Sequence, residues 1–207
     1  MDFENVLPNQ NERSAARKER EEEKQGVLSY MRDLVFLVTA IVLIFSLCFR
    51  FVVVSGPSMN DTLLDGDCLL LAGNVIYGQP KQGDVIVASK KSFDDGKPII
   101  KRVIAVEGQT VDIDFLQGIV YVDGIAQSEP YISTLTKIDE GMPFPLVVSD
   151  GCVFVMGDNR GNSKDSRSLE IGLIDEREIL GKAIFLFFPG NAGGLVRRDF
   201  SRIGGIS

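Results

Sequence analysis

The apolar positions of this chain fall into two regimes. Up to residue 33 the sequence is polar, with Arg13, Arg17, Lys18, Arg20 and Lys24 interleaved with Glu12, Glu19, Glu21, Glu22 and Glu23. Residues 34–49 then run without a charge. As a helix that run would be about 24 Å long, and continuing it to residue 54 gives roughly 31 Å, enough for a hydrocarbon core if Arg50 reaches back to the headgroups. The pattern therefore predicts a transmembrane helix over residues 34–54. It reads as an uncleaved signal anchor, because the leading polar region is long and no A-x-A site follows. Arg17, Lys18, Arg20, Lys24 and Arg32 precede the span, and no Lys or Arg lies between Arg50 and Lys81. That asymmetry predicts residues 1–33 as a cytoplasmic tail and the remainder on the far side of the membrane.

Beyond the anchor the regime changes to short, β-branched runs at residues 69–71, 85–88, 99–106, 119–122, 153–156 and 184–188. Such runs read as strands. The dipeptides Asp65-Gly66, Asp95-Gly96, Asp123-Gly124 and Asp150-Gly151 stand between them as turns, and Asp123-Gly124 marks a tight hairpin. Residues 174–180 form the one helical fragment in this region. The expected fold is predominantly β: an antiparallel, coiled barrel-like unit over residues 55–189, with a small β cap inserted near 107–150. The Gly- and Arg-rich residues 190–207 are expected to be loosely ordered.

Composition narrows the chemistry. At 207 residues, 44% hydrophobic and 25% charged, the chain holds one ordinary domain plus an appendage. A net charge of -7 makes nucleic acid a poor partner. There is no histidine, which removes a Ser-His-Asp triad and any His-ligated zinc. The three cysteines, Cys48, Cys68 and Cys152, have no C-x-x-C spacing. Cys68 and Cys152 could pair outside the cytosol or stay reduced, and spacing does not decide between the two.

Two short segments carry candidate catalytic groups. In Ser55-Gly56-Pro57-Ser58-Met59 a glycine lets backbone N–H groups approach a substrate carbonyl closely, as an oxyanion hole requires, although alone the segment is an ordinary turn. In the run at 99–106, alternation places Ile99, Lys101, Val103 and Ala105 on one face, with Ile100, Arg102 and Ile104 on the other. An apolar face would desolvate Lys101 and lower its pKa toward the range of a general base, whereas an edge lysine would reach water and stay charged. With histidine absent, the pair suggests Ser58 as nucleophile and neutral Lys101 as base. A third segment, residues 156–167, is dense in turn formers and hydrogen-bonding side chains. It lacks the Walker order of a phosphate loop and reads as a solvated loop or a rigid buttress.

Taken together, the anchor, S-G-P-S-M, the K-R-V strand and M-G-D-N-R-x-N-S-x-D-S-R resemble bacterial type I signal peptidases, up to about residue 189. The resemblance implies a membrane-bound serine endopeptidase without cofactor or metal. Its substrates would be exported preproteins, cut after small residues at the positions one and three before the scissile bond. Position by position it implies Ser58 as nucleophile, Lys101 as general base, and Ser163 as a hydrogen-bonding partner of the lysine. Asp165 and Arg167 would form a supporting salt bridge, with Asp158 in the same buttress. The N–H groups of Ser58 and Gly56 would form the oxyanion hole. Val52, Val54, Met59, Leu63, Ile99 and Ile100 would line shallow substrate pockets, or simply pack the core. Asp61 stands where many members have proline. Two competing readings are a self-cleaving repressor-type Ser-Lys protease, which would need a DNA-binding domain and is disfavoured by a membrane span on an acidic chain, and an inactive membrane-anchored peptide-binding homologue.

Overall fold

A computed structural model describes residues 10–190 and 198–206. The chain divides into two compact units, at residues 1–46 and 47–207. The first is built on one helix, α1 (Gln10–Cys48). Within it Lys24–Cys48 is long and apolar enough to cross a membrane, at 25 residues. The C-terminal end of the expected span, residues 34–54, is corrected, because the helix ends at Cys48. The helix starts well inside the expected polar tail, whose first nine residues lie outside the described region. Beyond Cys48, Phe49–Val53 forms strand β1 instead. The β-branched Val52 and Val53 favour extended backbone, and pairing all five residues with an apolar neighbouring strand outweighs continued helix. Arg50 accordingly stands opposite Leu71 in a sheet and not at the end of a helix.

The second unit continues with β2 (Cys68–Gly73), the short helix α2 (Asn74–Tyr77), β3 (Val85–Ala88) and β4 (Ile99–Val106). There follow β5 (Thr110–Asp114), β6 (Ile119–Val122), β7 (Ile125–Ala126) and β8 (Leu146–Val147). The last strands are β9 (Cys152–Met156), β10 (Ile174–Asp175), β11 (Ile179–Phe188) and β12 (Gly204–Gly205). They make two antiparallel sheets: an eight-stranded one in the order β1-β2-β11-β3-β4-β9-β10 with β12 on β11, and a four-stranded one in the order β7-β6-β5-β8. The unit is thus the curled, antiparallel half-barrel that the strand pattern predicts, with a smaller sheet inserted between β4 and β9. Asp123 and Gly124 join β6 to β7 with φ of 52° and 77°, the two left-handed residues of a type I′ hairpin turn.

Three apolar clusters hold the sheets. One packs Val54, Met59 and Leu63 against Leu69, Leu71, Val85, Val87, Ile100 and Leu186, beneath the turn that carries Ser58. A second joins the two sheets, with Val111, Ile113, Val120 and Val122 against Ile104, Ala105, Phe154 and Met156. The third includes Ile86, Val103, Val155, Ile171 and Ile174. The simple alternation read along β4 holds only to Val103. A register shift against β9 between Val103 and Ala105 puts Ile104 and Ala105 in the same cluster, as a bulge does.

Two further expectations change. Residues 174–180 are not a helix: β10 is followed by one 3₁₀ turn, Glu176–Glu178, capped reciprocally by Asp175 and Glu178, before β11 begins. Asp175 and Glu178 form a capping box, but Ile174 and Ile179 are both held in a buried cluster by strand pairing, which stops the helix after a turn. The tail is also more ordered than expected, although its residues 191–197 lie outside the described region. Residues 204–205 pair with β11, and Arg202 sets Nη1 and Nη2 on the two carboxylate oxygens of Asp67 at 2.9 and 2.7 Å. Asp67 is fully buried and also accepts from the N–H groups of Leu64 and Gly190, so its charge is fully partnered.

Candidate active site

Ser58 lies on a turn closed by hydrogen bonds from Asn60 N to Pro57 O (3.0 Å) and from Leu63 N to Met59 O (2.8 Å). Met59 and Leu63 drive this turn onto the barrel, since both are about 1% exposed in the cluster below it. Lys101 comes from β4, opposite Ile86 of β3. Its Nζ donates to Ser58 Oγ at 2.8 Å, joining side chains 43 residues apart. Lys101 is 5% exposed. Burial lowers its pKa from 10.5 to about 8, a fall assisted by Arg167 and resisted by the carboxylates of Asp165, Glu140 and Asp158.

The loop after β9 holds this pair from behind. Asn159 reaches the turn twice, through its N–H to Ser58 O and through Nδ2 to Pro57 O, both at 3.0 Å. Gly157 sits so close that a Cβ there would strike Ser163 and the Ser58 carbonyl. Gly157→Ala is therefore expected to shift the nucleophile turn and reduce turnover by about 100-fold, measured as kcat on a peptide substrate against an unchanged circular dichroism spectrum. Asp165 accepts from Gly157 N, from Ser163 Oγ and from Arg167, whose Nε and Nη2 meet its two oxygens at 2.8 and 2.9 Å. Asp165 and Arg167 are both fully buried.

Several residues stand differently from what the sequence implied. Ser163 gives its hydroxyl proton to Asp165 at 2.9 Å, and no hydrogen bond joins it to Lys101 among the described residues. The Gly56 N–H, expected to be an oxyanion donor, donates to Asp65 Oδ1 at 2.8 Å, and Gly56 itself has a φ of 88°. Asp158 is paired with Arg102, whose Nε and Nη2 meet its oxygens at 2.9 and 2.8 Å, and it also accepts from Thr62 Oγ1 at 2.6 Å. Arg102 is thus a buried partner within the site, where the alternation had assigned it only to the opposite face. All three cysteines are free thiols.

A cleft of about 370 Å³ opens beside the serine. Of the residues expected to line it, Val52, Val54, Met59, Ile99 and Ile100 do so, whereas Leu63 lies in the core and not in the cleft. Asp94, Lys97 and Pro98 line its far side, a contribution that no pattern in the sequence signalled. The cleft runs between two strand edges. β1 ends the large sheet, and β4 is joined to β9 only from Arg102 to Val106, leaving residues 99–101 unpaired on that side. An extended chain can hydrogen-bond to such edges.

The site thus sets a hydroxyl against a desolvated amine, beside a cleft flanked by two open strand edges. Comparison with known proteins gives the family. The family model described as signal peptidase, peptidase S26, matches residues 27–188. The chain is 34% identical over 178 residues to signal peptidase I of Bacillus licheniformis, covering 81% of this chain and 92% of that one. It is 36% identical over 172 residues to signal peptidase I T of Bacillus subtilis, covering 79% and 86%. A solved signal peptidase I from Enterococcus faecalis aligns with 51% of this chain and 97% of its own, at 27% identity and a TM-score of 0.42. This chain belongs to the signal peptidase family, peptidase S26, and is a serine endopeptidase.

Proposed function

We propose that this protein is anchored in the cell membrane by α1, with its N-terminus in the cytoplasm and its β unit on the far side, and that it removes signal peptides from exported preproteins. The basic residues ahead of the span support this orientation. The observation that carries the reading is the 2.8 Å bond from Lys101 Nζ to Ser58 Oγ at the end of a cleft between two strand edges.

A substrate segment lies extended between residues 52–55 and 98–101. Branched side chains of Val52, Ile99 and Ile100 leave room for alanine-sized groups and exclude larger ones, which gives the A-x-A preference by steric rejection. Neutral Lys101 takes the Ser58 proton as Oγ attacks the scissile carbonyl carbon. The oxyanion is met by the Ser58 N–H and, once Asp65 yields it, by the Gly56 N–H. Lys101 returns the proton to the leaving amine, and the signal peptide remains as an ester on Ser58. Lys101 then deprotonates a water that attacks the ester, freeing the signal peptide and restoring the serine. With a pKa of about 8, roughly one lysine in ten is neutral at pH 7, against about one in three thousand for an exposed side chain.

The direct test is incubation of the detergent-solubilised chain with a secretory preprotein, followed by sequencing of the new N-terminus. Cleavage after an A-x-A sequence by the wild type, with none by Ser58→Ala, is the expected result. Cleavage that survives in Ser58→Ala, or no cleavage in lipid by the wild type, would sink the reading.

A further inference from the structure

Behind the catalytic loop lies a second set of buried charged groups that contacts neither Ser58 nor Lys101. Glu129, on the segment between β7 and β8, accepts from Arg160 Nη1 on Oε2 at 2.8 Å and from Nη2 on Oε1 at 2.5 Å. The two side chains are 6% and 0% exposed. Arg160 Nη1 also donates to Thr136 Oγ1 at 2.6 Å, and its Nε donates to the carbonyl of Gly157 at 3.1 Å. Tyr131 donates its hydroxyl to Glu129 Oε1 at 3.1 Å, and its ring lies 4.1 Å from the guanidinium carbon of Arg102.

One carboxylate is therefore tied to both halves of the site. Through Arg160 it reaches Gly157, which rests against the Ser58 carbonyl and Ser163. Through Tyr131 it reaches Arg102, the residue next to Lys101 in β4. An apolar pair would fill the same volume at similar or better stability, so the ion pair is not explained by holding the core together. What a bidentate guanidinium adds is direction. With its outer nitrogens fixed on Glu129, Nε can aim only at Gly157 O.

We propose that Glu129, with Tyr131, is a positioning residue of the peptidase reaction, setting the approach of Ser58 to Lys101 from outside the site. The inference rests on the Ser58–Lys101 reading of catalysis. Loosening the brace would let the loop that covers Lys101 part from it and admit water among Asp165, Arg167, Glu140 and Asp158, the charged groups around that amine.

The test uses the full chain in detergent, comparing wild type, Glu129→Ala, Tyr131→Phe, Ser58→Ala and the double variant Glu129→Leu with Arg160→Met. Glu129→Ala is expected to lower kcat by about 10- to 100-fold with KM within twofold, and to move the rise of rate with pH to more alkaline values. The double variant is expected to regain the urea midpoint of the wild type without regaining kcat. Recovery of both by the double variant would make the pair merely structural and overturn the proposal, as would an unchanged kcat and pH profile in Glu129→Ala. Where Glu129→Ala does not fold, Tyr131→Phe decides: an alkaline shift supports the brace, and an unmoved profile overturns it. Absence of Ser58-dependent cleavage by the wild type would instead overturn the dyad reading on which the inference stands.

Discussion

Lys101→Met is expected to lose about a thousandfold or more in kcat/KM while becoming more stable than the wild type at pH 7. Both effects come from one property of the amine. In the folded protein its pKa is lowered from 10.5 to about 8, mainly by burial, so at pH 7 the fold carries a proton there that it binds weakly. Between pH 8 and 10.5 the unfolded chain holds this proton and the folded chain does not. Stability therefore rises with pH across that window, and below it the wild type bears a penalty of roughly 3 kcal/mol. Methionine keeps the stem and removes the charge. It forfeits the bond to Ser58, worth about 1 kcal/mol, so a net gain of about 2 kcal/mol at pH 7 should fade above pH 10. Urea denaturation in detergent at the two pH values measures this. In the wild type, kcat/KM should climb about tenfold per pH step below 8 and level off above it. A variant less stable at pH 7 than the wild type would contradict the burial of a protonated amine.

Asp158→Ala should be the most destabilising single change near the site, at about 3–5 kcal/mol. Its carboxylate is fully buried and is the counter-charge of Arg102, itself only 2% exposed. Without it the guanidinium keeps Gly83 O and the face of Tyr131, neither of which carries a charge. The same change releases Thr62, and with it the turn that carries Ser58, from the loop after β9, so activity should fall with stability. Urea midpoints of Asp158→Ala and of Asp158→Ala combined with Arg102→Met separate the causes. Removing the stranded cation should restore much of the stability, and failure to do so would place the cost elsewhere.

Strands β3, β4 and β6 were legible as short β-branched runs, and they begin and end where that pattern does, whereas β5, β8, β10 and β12 carry no such run. The boundary of α1 was not legible, since residues 49–53, Arg50 apart, are as apolar as residues 34–48 before them. Only pairing with β2, which no local pattern encodes, makes them a strand. Within the candidate site, Ser58 and Lys101 were readable from a glycine-proline turn and a lysine in an apolar run. The partners of the loop residues were harder. Asp65 takes the Gly56 amide through a local bend, and Asp67 takes Arg202 because chain segments far apart in sequence close around it. Glu129 and Tyr131 sit in an undistinguished stretch whose meaning depends on where Arg160 and Arg102 end up. Composition marks a buried charge only by its improbability, and the partner that makes it tolerable is a tertiary fact.

The clasp between Asp67 and Arg202 bears on the timing of synthesis. These two residues lie 135 positions apart, and the Gly190 amide that shares the same carboxylate lies 123 positions away. Ser58 leaves the ribosome early, but the bend beside it cannot be locked until nearly all of the β unit has followed. Lys101 likewise stays hydrated until the loop at 157–167 covers it. On the reading proposed above, a growing chain therefore holds Ser58 beside an amine that is neutral about one time in three thousand at pH 7, against about one in ten once the last strands dock.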